Sequence, residues 1–146
     1  MAIKFDLGLG RGDDEHFRWS VVVFKNHRQQ RRGELYRLKL GNFKGNNNGQ
    51  SKACVITYKL RKKNQWLGYA LFSEEYLRDD TLLHESVHMA WSMADYLRKY
   101  NNEYRGFKRD FEEMLCLASG VIFRALKQGI KRERRKQSGN NRRKCS

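Results

Sequence analysis

The residue pattern of the chain changes near residue 75 from one typical of strands to one typical of helices, and this change restricts the folds that the chain can adopt. Before that point, short runs rich in β-branched and aromatic residues alternate with turn-forming segments, which predicts strands at 2–7, 17–25, 34–40, 53–60 and 65–73. After it, the apolar residues recur with helical spacing, and no proline interrupts them. Strands that follow one another directly favour antiparallel pairing. The sequence therefore predicts an α+β fold, with a short antiparallel sheet of about five strands followed by two packed helices.

The helical half divides into two segments. The first begins near residue 79, where an aspartate or a threonine can cap it, and ends near residue 100 at two asparagines. The second spans about 108–127, and its nearly continuous apolar stretch at 114–123 predicts the buried helix of the domain. We predict one domain at 1–126, with strands within 1–75 and helices within 79–126. The basic tail at 127–146 either extends the last helix or is disordered.

The charge of the chain is concentrated at its end. Lys and Arg number 31 against 16 Asp and Glu, a net charge of +15, and nine basic residues against one acidic residue follow from Lys127 onward. This asymmetry predicts a cationic arm that contacts a polyanion such as nucleic acid or a ribonucleoprotein. Composition leaves open whether the partner is DNA, RNA, an anionic membrane or an acidic protein. The alternative is a solvated tail that maintains solubility. The candidate nucleic-acid contacts are Lys131, Arg132, Arg134, Arg135, Lys136, Arg142, Arg143 and Lys144.

Several classes of protein do not fit the composition. Three cysteines, far apart and odd in number, argue against a disulfide scaffold or a paired-cysteine zinc knuckle. No apolar run approaches the roughly 20 residues that cross a bilayer. The first residues lack the pattern of a signal peptide. We therefore expect a cytoplasmic protein with no membrane span.

The motif that carries chemistry is His84-Glu85-Ser86-Val87-His88 in the first predicted helix. Histidines four residues apart project from one helix face, so their ring nitrogens can converge on one metal ion. Glu85 lies about 100° round the helix from His84, which places it beside the metal. There it can accept a proton from zinc-bound water. We predict one Zn²⁺ per chain; the alternative is a pair of histidines on a half-buried helix without metal.

A zinc site needs a third protein ligand. No histidine follows His88, so the acidic pair Glu112-Glu113 at the start of the second helix is the expected source, with helical periodicity weakly favouring Glu112. Asp95 shares the metal-side face and can hydrogen-bond a ligating histidine; an ordinary exposed aspartate is the alternative. Conceivable donors to an oxyanion are His16, His27, Tyr69, Tyr104 and Arg105, and the sequence leaves the choice among them open.

Three segments carry a resemblance to a known group of proteins. Residues 66–72 (Trp-Leu-Gly-Tyr-Ala-Leu-Phe), the motif segment 81–88 and the acidic, then apolar segment 112–122 resemble small zincin-type proteins of phages and prophages. A more distant similarity is to the metallopeptidases that process phage repressors. The resemblance covers about 65–125. It implies a zincin fold, a metal-binding Glu113 with Glu112 as second choice, and hydrolysis of a protein or peptide substrate, in the host cytoplasm if the protein is phage-encoded.

The sequence supports two hypotheses of function, one enzymatic and one non-catalytic. The first is a zinc-dependent metallopeptidase in which Glu85 activates zinc-bound water for peptide hydrolysis. The alternative is a non-catalytic nucleic-acid-binding protein with a structural or vestigial zinc site and a basic C-terminal arm.

Overall fold

One five-stranded sheet and three helices make up the fold. The computed structural model describes residues 2–9, 17–45, 51–59, 65–100 and 108–144. The strands are β1 (Ile3–Leu9), β2 (Phe17–Phe24), β3 (Phe43–Lys44), β4 (Cys54–Tyr58) and β5 (Trp66–Ser73). The helices are α1 (His27–Lys39), α2 (Asp79–Tyr100) and α3 (Lys108–Lys144), with a short 3₁₀ turn at Glu74–Tyr76. The predicted α+β class, with a five-stranded sheet and packed helices, is confirmed.

The sheet is mixed, which corrects the prediction of an entirely antiparallel one. The strand order is β1-β2-β5-β4-β3, and β5 runs parallel to β2, with Val21 opposite Ala70. The other three pairings are antiparallel. The parallel pair arises because α1 crosses one face of the sheet after β2, so that the chain returns and inserts β5 beside β2.

Helix α1 occupies residues for which the sequence predicts a turn and a strand at 34–40, and that prediction is wrong. The Asn26 side chain caps the helix by accepting a hydrogen bond of 2.9 Å from the Gln29 backbone N–H. The residues that α1 buries are Gln30 and Glu34. Since its buried face is polar, the helix lacks the apolar stripe by which helices are recognised in sequence. Gly33 is needed for close packing, because a Cβ there would overlap the Phe24 ring.

The sheet separates two cores of unequal size. On the α2–α3 side, a large cluster includes the fully buried side chains of Trp19, Phe72, Met89, Ile122 and Leu126. On the α1 side, the buried cluster consists of Val22, Cys54, Ile56 and Leu71. Burying a large apolar side chain stabilises a fold by about 1.5–3 kcal/mol relative to exposure. The α2–α3 side therefore contributes most of the stability.

Helix α3 is buried on one stripe only, whereas the sequence predicts burial nearly all round. The buried apolar side chains follow helical spacing and are Ala118, Ile122, Leu126 and Ile130. Leu117 is 70% exposed and Val121 45% exposed, because α2 and β1 cover one side of α3. The helix then continues to Lys144 with its last two turns exposed. Across the described ranges, no helix is long and apolar enough to cross a membrane.

Gly68 allows β4 and β5 to pair closely. Its φ of +141° lies in the region that favours glycine, and a Cβ would overlap the Ile56 carbonyl oxygen. An irregularity in the pairing of β5 with β2 occurs at the same level, between Arg18 and Trp19. The sheet is therefore locally distorted where β5 begins.

Candidate metal centre

His84 and His88 converge on one face of α2. Their Nε2 atoms are 3.1 Å apart, and their ring centroids are 4.8 Å apart. Two imidazole nitrogens bound to one tetrahedral Zn²⁺ are separated by about 3.3 Å, given Zn–N bonds of about 2.0–2.1 Å. The pair as it stands in the structure therefore fits two positions of a zinc coordination shell.

The packing of α2 places the histidines at the surface. Ser86, Met89 and Ala90 face the interior, so the neighbouring stripe with His84 and His88 faces solvent. The His84 side chain is 68% exposed. Partial burial, and then the neighbouring His84, lower the pKa of His88. A lowered pKa favours the neutral imidazole, which is the form that binds metal.

Glu85 lies beside the histidines but points into the protein. It is only 5% exposed, and its Oε1 atom is 4.0 Å from His84 Nε2. Burial, and then the charge of Glu34, raise the pKa of Glu85 to about 7. A carboxyl group with this pKa exchanges a proton readily near neutral pH, which suits a general base.

A cavity opens where these residues meet the start of β4. Its volume is about 410 Å³. The segment before β4 contributes Ser51, Lys52 and Ala53; α2 contributes Asp80, Thr81, His84 and Glu85. The candidate ligand His84 and the candidate base Glu85 therefore line one concave space, large enough for part of a peptide.

The structure does not bring the acidic pair of α3 to the histidines. Glu112 and Glu113 are exposed, and Glu113 lines a separate cavity with Leu9 and Met93. Helix α3 packs on the side of α2 that carries Asp79, whose carboxylate is 3.2 Å from Lys127 Nζ. His84 lies about 140° round α2 from Asp79. Among the described residues, no group of three or more His, Cys, Asp or Glu side chains is arranged to hold a metal.

The remaining predicted site residues have varied surroundings. Asp95 is exposed on α2, and within the described part of the chain it contacts neither histidine. His27 Nε2 lies 2.9 Å from the Ser51 carbonyl oxygen, so this ring already has a structural partner. The Tyr69 ring faces α1, with the Arg37 guanidinium 4.5 Å from its centroid. His16, Tyr104 and Arg105 lie outside the described residues.

Glu34 is the neighbour of the site that the sequence prediction missed. It is 4% exposed and lies beside the Cys54 thiol. Burial raises the pKa of Glu34, although Cys54 and two nearby cationic groups oppose the shift. Burial, followed by the charge of Glu34, also raises the pKa of the Cys54 thiol, which keeps it protonated. The cap at Asn26 was the sequence signal that α1 exists and that Glu34 lies on it.

The basic arm is the exposed end of α3. All eight predicted nucleic-acid contacts are exposed side chains on this one helix. Arg134 pairs with Glu74 at the end of β5, and Lys136 Nζ lies 3.1 Å from Glu133 Oε1. The arm is thus anchored to the domain at its base and carries its charge outward from there.

Comparison with known proteins gave no match to this chain among protein-family models, curated proteins or solved structures. Its chemistry is therefore inferred from its own residues. These are two converging imidazoles, a buried carboxyl group of raised pKa and a cavity that is lined by His84 and Glu85.

Proposed function

We propose that this protein is a zinc-dependent metallopeptidase, with His84 and His88 holding one Zn²⁺ per chain. The observation that supports the proposal is the 3.1 Å separation of the two Nε2 atoms beside the buried carboxyl group of Glu85. When bound, Zn²⁺ supplies a Lewis acid that polarises a carbonyl and lowers the pKa of water. Glu113, with Glu112 as second choice, is the proposed third ligand. In the structure Glu113 lines a cavity with Leu9 and Met93, away from the histidines, so this role requires the start of α3 to move round α2.

Glu85 is the proposed general base. Its carboxylate, next to His84, would take a proton from the attacking water and later deliver it to the leaving amine. The buried surroundings that raise its pKa to about 7 also make it basic enough for this transfer at neutral pH.

Strand β4 is the proposed platform for an extended peptide. Within the described residues, β3 pairs with β4 only at Thr57 and Tyr58. In the described part of the chain, the first half of β4, from Cys54 to Ile56, therefore pairs with β5 on one side and with no strand on the other. The backbone N–H and C=O groups on that second side are the ones a peptide would pair with. A peptide that pairs there would lie next to the cavity containing His84 and Glu85.

Metal analysis tests the ion and its ligands together. Wild-type protein should contain one Zn²⁺ per chain after dialysis, and His88→Ala should contain almost none, because a single histidine does not retain the ion. Glu113→Ala should lose most of the metal and Glu112→Ala little. Equal zinc in wild type and all three variants would overturn the proposed site.

Peptide hydrolysis tests the use of the metal. Glu85→Gln keeps the shape of the side chain and removes its basicity, so the rate should fall by about 10²–10⁴-fold while bound zinc stays nearly unchanged. A digest of unfolded protein, analysed by mass spectrometry, provides a broad set of substrates. Zinc-loaded wild type that cleaves nothing in that set would refute the peptidase.

The second candidate function is nucleic-acid binding, favoured by the exposed basic end of α3. Binding through this arm should weaken steeply with salt, because phosphate contacts release counterions. Ile130 is buried, so a truncation that begins at residue 131 removes the arm while sparing the core. Loss of most of the affinity is expected; binding that is absent, or insensitive to salt, would exclude this candidate.

A further inference from the structure

A second concave surface, separate from the metal centre, lies between α3 and the start of α2. Its volume is about 800 Å³, and we call it the basic groove. Its floor is apolar and consists of Leu77, Leu82 and Ile130. Leu82 and Ile130 are buried residues that also belong to the main core. The floor is thus continuous with the main core, and Leu77 is its most exposed side chain.

The rim of the groove is cationic. Five basic side chains of α3 line it: Lys127, Lys131, Arg134, Arg135 and Arg142. Two of these already bind carboxylates of the same chain, since Lys127 pairs with Asp79 and Arg134 with Glu74. In the described part of the chain, no ion pair or hydrogen bond is formed by Lys131, Arg135 or Arg142. The rim therefore has three cations available to a ligand.

We propose that the basic groove binds an acidic segment of the protein substrate, with apolar side chains of that segment seated on Leu77, Leu82 and Ile130. The proposal rests on the proposed peptidase function and assigns its substrate class. An amphipathic acidic segment matches both halves of the groove, since its carboxylates complement the rim and its apolar side chains cover the floor.

The position of the groove agrees with a role in substrate recruitment. Asp79 and Leu82 line the groove, whereas Asp80 and Thr81 line the cavity that contains His84 and Glu85. The two concave surfaces thus share the first turn of α2. A substrate held in the groove would have its nearby residues close to the cavity that contains His84 and Glu85, which raises their local concentration there.

Nucleic acid matches this groove less well than an acidic peptide. None of the residues that line it is aromatic, so it lacks the rings on which bases stack in most single-strand sites. A phosphodiester backbone also has no apolar group for the leucine and isoleucine floor. The existing pairs with Asp79 and Glu74 show that the rim accommodates carboxylates.

Binding of a labelled peptide to zinc-free, full-length protein tests the proposal without requiring catalysis. The probe is a short fluorescent peptide of Glu, Asp and Leu, followed by fluorescence anisotropy. The test variant is Lys131→Glu with Arg135→Glu, both on the rim. The matched control is Arg28→Glu with Arg32→Glu, which makes the same charge change at the same four-residue spacing on exposed residues of α1.

The rim variant should bind the peptide roughly tenfold or more weakly, whereas the control should change affinity by roughly twofold at most.

Replacing the Leu residues of the probe by Ser should weaken binding to wild type, because the apolar floor is then not covered. Equal losses in both variants, or a probe that binds as well without leucine, would overturn the proposal. So would duplex DNA or single-stranded RNA that binds through Lys131 and Arg135 more tightly than the peptide. Failure of zinc binding or hydrolysis would leave this result unchanged and would refute only the peptidase.

Discussion

The two faces of the sheet differ in what they bury. The α2–α3 face covers a continuous apolar cluster around Trp19 and Phe72. The α1 face buries a small apolar cluster together with Gln30, Glu34 and Ser73. Within the described residues, the side-chain nitrogen and oxygen of Gln30 and the hydroxyl of Ser73 have no hydrogen-bond partner. Burial of such groups without partners costs about 1–3 kcal/mol each.

The α2–α3 face therefore provides most of the stability, whereas the α1 face carries a charge that affects the candidate site. Glu34 lies on the polar face, yet its charge reaches Glu85 on α2 and raises the pKa of that carboxyl group. Buried ionisable groups are tolerated where other packing offsets their cost, and they are concentrated at functional sites. The domain thus holds a buried carboxyl group on each side of the sheet, Glu34 on α1 and Glu85 on α2 beside the candidate metal centre.

The largest loss of stability should come from a substitution on the apolar α2–α3 face. Phe72→Ala removes a fully buried ring from the main cluster and should lower the free energy of unfolding by about 3–5 kcal/mol. Its neighbour Leu71 is equally buried but faces α1, and Leu71→Ala should cost less, about 2–3 kcal/mol. Urea denaturation measures both. A larger loss for Leu71→Ala would show that the α1 face contributes more stability than its composition implies.

The second prediction concerns Glu85, whose substitution should raise the free energy of unfolding instead of lowering it. Glu85 has a folded pKa of about 7 against a usual value of 4.5, so folded zinc-free protein retains a proton that unfolded chains have released. The stability linked to Glu85 is therefore fully present below pH 4.5 and declines as pH rises to about 7, by up to about 3 kcal/mol.

Glu85→Gln should remove this decline and make the zinc-free protein more stable at pH 8, by about 1–3 kcal/mol. Urea denaturation from pH 4.5 to 8 gives the slope, and the titration of the histidines is common to both proteins. Parallel pH profiles for wild type and variant would mean that the Glu85 carboxyl group has an ordinary pKa.

Sequence patterns predicted the apolar face and the placement of His84 and His88 on one face of α2, but they did not predict the polar face. The metal itself stays a prediction. Four of the five predicted strands and the bounds of α2 follow from alternation and capping, because the side chains concerned are apolar where they are buried. Helix α1 was missed because it buries Gln30 and Glu34, and the parallel pairing of β2 with β5 depends on that helix. His84, Glu85 and His88 were found because their spacing lies within one helix. The position of Glu113 depends on how α3 packs on α2, which no local pattern encodes.

Substituting Glu34 should raise the stability at pH 8 by a smaller amount. Glu34→Gln removes the charge that contributes to the raised pKa of Glu85 and keeps a side chain of the same shape beside the Cys54 thiol. The pKa of Glu85 should fall, and the stability at pH 8 should rise by less than in Glu85→Gln, because burial is the first cause of the Glu85 shift. Carbon NMR of labelled glutamate side chains measures the pKa. An unchanged pKa would show that the two faces are electrostatically independent.

The smallest effect concerns the hydrogen bond that joins β4 to α2 beside the site. The Thr57 and Ser92 hydroxyl oxygens are 3.0 Å apart, and Ser92 follows His88 by one turn. Ser92→Ala should lower the free energy of unfolding by about 0.5–1.5 kcal/mol, as is usual for one such bond. In a double-mutant cycle with Thr57→Val, a coupling of about 0.5–1 kcal/mol is expected, since both variants remove the same interaction. Additive losses would mean that β4 and α2 are held together by the apolar contacts of that face alone, and that β4 keeps its place beside the histidines without a polar link.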